Sequence, residues 1–126
     1  MSHIAAVKLP SLPMPQIVVT APDAIAISGT IATKDPSRDV GECLQAFHRA
    51  AIADGLKELK VDVTGLTFVN SSAIRLFVDW ATWVKSAAEP RYRLRFVTSR
   101  KATWQKTSFP ALLSLARDVL TIDQVD

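Results

Sequence analysis

Cysteine and histidine are scarce in this 126-residue chain, and their scarcity limits its chemistry. The single cysteine, Cys43, leaves no intramolecular disulfide, which agrees with a reducing compartment. The two histidines are His3 and His48. Cys43 and His48 stand five apart, so a helix holding both would turn them to different faces. With no cluster of Cys, His and carboxylates around either, no metal site is expected. A Ser-His-Asp or Cys-His set would have to use His48, which reads more simply as an imidazole on a helix surface. The four glycines, Gly29, Gly41, Gly55 and Gly65, lie too far apart to form a phosphate-cradling loop. Asp and Glu are scattered singly, so a paired acid and base is not indicated. The expectation is a non-enzyme with no cofactor.

Long apolar runs are missing as well. The uncharged N-terminal stretch 9–20 is too short to span a bilayer and contains Pro10, Pro13 and Pro15. No basic segment followed by an apolar run resembles a signal peptide. The expectation is a cytoplasmic protein without membrane insertion. Strong charge of one sign is absent too, since the formal net charge is +3. The one basic concentration is Arg91, Arg93, Arg95, Arg100, Lys101 and Lys106. Strand alternation accounts for the first three, and no nucleic-acid-binding motif accompanies them. Nucleic acid is therefore not an expected partner.

What is present is enough for one core: 48% of residues are hydrophobic and 21% charged. Residues 1–15, with their three prolines, read as an extended or loosely attached arm, and 16–126 as a single domain. Ile17 to Val19 and Ala24 to Ile31 read as a hairpin turned at Pro22-Asp23. A helix is expected up to about Asp54, with Leu44, Phe47, Ala50 and Ala51 on its apolar stripe and Gly55 just past its end. Leu59, Val61 and Val63 alternate with Lys60, Asp62 and Thr64, the period of a strand with one buried face. A loop over 65–70 precedes a helix from Ser71 to Lys85. Its residues Ala73, Ile74, Phe77, Val78, Ala81 and Val84 recur at three- and four-residue spacing. Trp80 and Trp83 on that helix are expected partly buried, polar tips outward. Tyr92, Leu94 and Phe96 alternate with arginines as another half-exposed strand. A third helix over 101–117, interrupted near Pro110, and a last strand over 119–122 complete the reading.

The element order is thus β-β-α-β-α-β-α-β, an α/β fold with parallel neighbours joined by crossovers. Parallel strands covered on both faces read as unbroken apolar runs, and two of these strands alternate instead. A mixed, mostly parallel sheet with helices mainly on one face and a charged face left open reconciles the two patterns.

The segment 59–78 carries the functional signal. Asn70, Ser71 and Ser72 all suit the N-cap of the following helix, and as a cap alone they need no function. A hydroxyl at that helix start is equally a place where a kinase could reach and where the helix dipole favours a phosphoryl group. The segment resembles the signature of STAS domains of bacterial anti-sigma factor antagonists, of the form xxDLSGVxFxDSSGLxxL. Residues 61–69, Val-Asp-Val-Thr-Gly-Leu-Thr-Phe-Val, match its first half. Asn70-Ser71-Ser72-Ala73-Ile74 stands where Asp-Ser-Ser-Gly-Leu is usual, so Asn70 replaces an Asp and Ala73 a Gly.

The resemblance implies a non-catalytic partner switch. Ser71 matches the phospho-acceptor, with Ser72 as second candidate, and Thr67, Asn70, Ser71, Ser72, Ala73 and Arg75 would form the partner surface. The implied partners are a histidine-kinase-like serine kinase or anti-sigma factor, using Mg-ATP, and a PP2C-type phosphatase. The alternative is a constitutive STAS accessory subunit of a transporter ATPase or signalling complex, without phosphate turnover. A homodimer through an open sheet edge is compatible with either. A ligand-binding or enzymatic domain using Trp104 and the arginines has no convergent polar set to support it.

Overall fold

A computed structural model describes residues 4, 7, 16–31, 40–87, 92–99, 114 and 119–125. β1 (Gln16–Ala21) and β2 (Ala24–Ile31) form the expected hairpin around Pro22-Asp23. α1 (Val40–Ala53) follows, then β3 (Glu58–Asp62), β4 (Leu66–Val69), α2 (Ser71–Ser86), β5 (Arg93–Ser99) and β6 (Leu120–Val125). The sheet order is β1-β2-β3-β5-β6, with β4 pairing β2 beyond the end of β3. Among the described strands the β1–β2 pair is antiparallel, and β2–β3, β2–β4, β3–β5 and β5–β6 are parallel. The fold is therefore the expected α/β domain built on a mixed, mostly parallel sheet.

Register sorts the side chains of the sheet. Ile25 pairs Val61, Val61 pairs Phe96 and Phe96 pairs Ile122, so these share one face. Against it pack Val40, Leu44 and Phe47 of α1 and Phe77, Trp80 and Val84 of α2, all in one buried core. Phe77 and Trp80 both meet Phe96 edge-on, at 5.6 and 6.3 Å between ring centroids. Each such pair adds about 0.5–1.5 kcal/mol beyond the area it buries. On the opposite face Lys60 pairs Arg95, and Arg95 pairs Thr121. There the Arg95 guanidinium bridges Asp123 and, at 3.5 Å, Glu58. This is the charged open face expected from the alternation of the two strands.

Three expectations are corrected or extended. Residues 65–70 were expected to be a loop, but Leu66–Val69 is a strand. A four-residue strand is too short to show a period, and its pairing with the end of β2 is a tertiary matter. Trp80 does not turn its polar tip outward: it is fully buried, and its Nε1 donates inside the core to Tyr92 Oη at 2.9 Å. His48 is not a free surface imidazole, because its Nδ1 lies 2.7 Å from the same Tyr92 hydroxyl. Tyr92 thereby joins α1, α2 and the start of β5.

The boundary expected at residue 15 lies outside the described residues. Ahead of it, Ile4 is fully buried in the core and its amide donates to Asp54 Oδ2 at 3.1 Å. Partly buried Val7 packs beside it. The third helix expected over 101–117 also falls outside the described residues, apart from Ser114, which is helical.

Candidate functional site

β3 ends in a turn that its own sequence dictates. Asp62 Oδ1 accepts from the Thr64 amide at 2.9 Å and from Thr64 Oγ1 at 2.7 Å. Such a bond mimics a backbone turn two residues on, which is why Asp suits the position. The Leu66 amide closes the turn on Val63 O at 3.0 Å.

The chain then passes close beside β2. The Gly29 amide donates to Gly65 O at 3.0 Å, and a Cβ placed on Gly65 would lie 3.0 Å from Ser28 Cβ. Gly29 has φ of +94°, a conformation glycine adopts without strain. Here β2 transfers its pairing from β3 to β4. Gly29 faces Leu66 and Thr30 faces Phe68, so Thr67 is an extra residue in β4. Its Oγ1 donates to Gly29 O at 3.0 Å. A bulge of this kind re-aims the side chains after it. Leu66 and Val69 are buried, while Thr67 and Phe68 are both exposed, Phe68 at 49%.

α2 starts directly after this strand. The Asn70 amide donates to Ile31 O at 2.9 Å, anchoring the helix start to the end of β2. Asn70 has extended backbone angles, and its Oδ1 accepts from the Ala73 amide at 2.9 Å, as an N-cap residue should. Ser71 is the first residue of the helix. The Ser72 amide has no partner among the described residues. The positive end of the helix dipole and an available N–H donor therefore meet at the Ser71-Ser72 pair.

The structure groups most of the sequence-expected surface residues at the β4–α2 junction. Thr67, Ser72 and Arg75 are exposed and Asn70 is half-buried. Ala73 is the correction. It is fully buried in the core, because the third helical position turns inward here, and its methyl is not on the surface a partner would meet. Phe68 is the residue that sequence reading missed as part of this surface. Its exposure follows from the bulge at Thr67, and no local pattern marks that bulge.

Among the described residues no group of three or more His, Cys, Asp and Glu could hold a metal ion. Cys43 is buried, and burial pushes its thiol up to about 11, so the nucleophilic thiolate is disfavoured. No helix among the described residues is long and apolar enough to cross a membrane.

No family model and no curated protein matches the sequence. Among solved structures, the chain is similar to the crystal structure of an anti-sigma factor antagonist from Mycobacterium paratuberculosis. The TM-score is 0.60, with 90% of each chain covered and 16% of residues identical. At that identity the likeness is one of backbone architecture. The chain shares the backbone fold of that anti-sigma factor antagonist.

Proposed function

We propose that this chain is a non-catalytic regulatory module that binds protein partners and is switched by reversible phosphorylation of Ser71. The observation that carries the reading is the place of Ser71, first in α2 behind an Asn70 cap, beside exposed Thr67, Phe68, Ser72 and Arg75. A partner seated there would cover an apolar ring and the helix start together. A phosphoryl group on Ser71 would add about −1.5 to −2 charges beneath that partner. The helix dipole favours the added charge, and Arg75 stands four residues on, at the spacing of helix ion pairs. The same modification thus suits the folded domain and opposes an apolar interface.

The partners this reading requires are a histidine-kinase-like serine kinase or anti-sigma factor and a PP2C-type phosphatase. The kinase transfers the γ-phosphoryl group of Mg-ATP to Ser71 Oγ, releasing ADP and the hydroxyl proton. The phosphatase returns the serine with water, releasing inorganic phosphate. Both reactions belong to the partners, in keeping with a cytoplasmic module that needs no cofactor of its own.

The test is an intact-mass spectrum with site mapping of protein isolated gently from its native cells, followed by binding to the kinase recovered with it. The expected result is one phosphoryl group on Ser71 in part of the population. Ser71→Ala then keeps the partner, while Ser71→Glu loses it with a stability within about 0.5 kcal/mol of the parent. Protein that stays unmodified across growth conditions while holding a partner would replace the switch with the constitutive accessory-subunit reading.

A further inference from the structure

Between α1 and α2, at the opposite end of α2 from Ser71, lies a shallow, solvent-open pocket of about 550 Å³. That volume falls in the range of sites for small organic molecules, about 300–1,000 Å³. It does not depend on the proposed switch. Its walls are Trp83, half-buried, and Ile52, 51% exposed. Among the described residues its polar groups are His48, Arg49, Gln45 and Ser86, and none of them is a carboxylate.

The hydrogen bonding behind the wall decides what His48 offers. Trp80 Nε1 can only donate, and it donates to Tyr92 Oη. The buried Tyr92 hydroxyl has one hydrogen left to donate, and His48 Nδ1, 2.7 Å away, is the acceptor in its reach. Nδ1 is therefore an acceptor and Nε2 carries the imidazole hydrogen. Nε2 has no protein partner among the described residues, and Arg49 has no ion pair among them. The tilted His48 and Trp83 rings lie 6.0 Å apart between centroids. The pocket thus combines an indole and an aliphatic wall with a fixed N–H donor and a permanent cation.

We propose that this α1–α2 pocket is a binding site for a small planar aromatic carboxylate, its ring against Trp83 and Ile52 and its carboxylate on Arg49 and His48 Nε2. A flat apolar body is what the two walls can cover. A carboxylate is the group that an unpaired guanidinium and a fixed imidazole donor recognise together. A neutral or cationic ligand would leave Arg49 without its counter-charge.

The probe is 1-naphthoate, titrated into the full chain and followed through the tryptophan indole N–H resonances, with the Trp83 signal assigned by its loss in Trp83→Phe. Saturable displacement of the Trp83 resonance is expected. The neutral 1-naphthamide should bind about tenfold more weakly, and Arg49→Gln should weaken naphthoate by about the same factor, as for loss of a charge-assisted hydrogen bond. Arg49 is exposed, so its replacement leaves the core untouched. No saturable shift at Trp83 with millimolar naphthoate would overturn the proposal. So would equal binding of the amide, or naphthoate binding unchanged in Arg49→Gln.

Discussion

Gly65 shows how one missing side chain permits the junction on which the candidate site stands. Its carbonyl accepts from Gly29, and the space where a Cβ would sit is already met by Ser28 Cβ at 3.0 Å. That distance is tighter than an ordinary contact, so the two strands must part by a few tenths of an ångström to admit a methyl group. Gly65→Ala is expected to cost about 1–3 kcal/mol, the range for overpacking. Adding Ser28→Gly removes the opposing Cβ and should recover part of the loss, which urea unfolding of the single and double variants would measure. Gly65→Ala with unchanged stability would mean that β2 and β4 separate freely. The glycine itself was visible in the sequence as part of the loop expected over 65–70. Its partner across the sheet was not, because Ser28 and Gly29 lie more than thirty residues earlier.

At the scale of the element, α2 depends on a start that its neighbours prepare. Asn70 caps the helix through the Ala73 amide and is held to β2 through Ile31 O. Asn70→Ala removes the first bond and keeps the second, and the expected loss is about 1 kcal/mol. Asn70→Asp supplies an equally good cap and should unfold within a few tenths of a kcal/mol of the parent. If Asn70→Ala and Asn70→Asp destabilise alike in urea, the cap is not what the side chain provides. The helix period and the hydroxyl pair at its start were legible in residues 70–85 because both are local. The strand β4 and its bulge were not, since four residues reveal neither their pairing partner nor a skipped position. Phe68 therefore reaches the surface for a reason found only in β2.

For the whole molecule, the bond chain from Trp80 through Tyr92 to His48 links both helices to the sheet. Tyr92→Phe leaves the buried Trp80 N–H without an acceptor and should cost about 1–3 kcal/mol. The same chain makes stability depend on pH. Burial, and then the neighbouring Arg49 charge, lower the His48 pKa below its ordinary 6.5. The folded state therefore binds fewer protons than the unfolded state in mildly acidic solution. Stability from this group is complete above pH 6.5 and is lost as pH falls through the folded value. Geometry gives the same sign, because a protonated Nδ1 could no longer accept from the buried Tyr92 hydroxyl, whose hydrogen would lose its partner. Unfolding midpoints measured from neutral pH to about pH 5 should fall in the parent and fall less in His48→Gln. Identical profiles for the two proteins would exclude His48 as the source.

Residue order alone was enough for the α/β class, the hairpin, α1, α2, the strands around Leu59 and Leu94, and the open charged face of the sheet. All of these are written in local periods of two or about 3.6 residues and in turn and cap chemistry. It also determined where Asn70, Ser71 and Ser72 stand, since a cap is encoded within a few residues of the helix it starts. Tertiary structure decided which side chains face a partner and which face inward. It buried Ala73, exposed Phe68, turned the Trp80 indole N–H into the core and set His48 Nδ1 against the Tyr92 hydroxyl. Each of these outcomes rests on contacts between segments far apart in the chain, where a residue's neighbours in sequence say nothing of its neighbours in space.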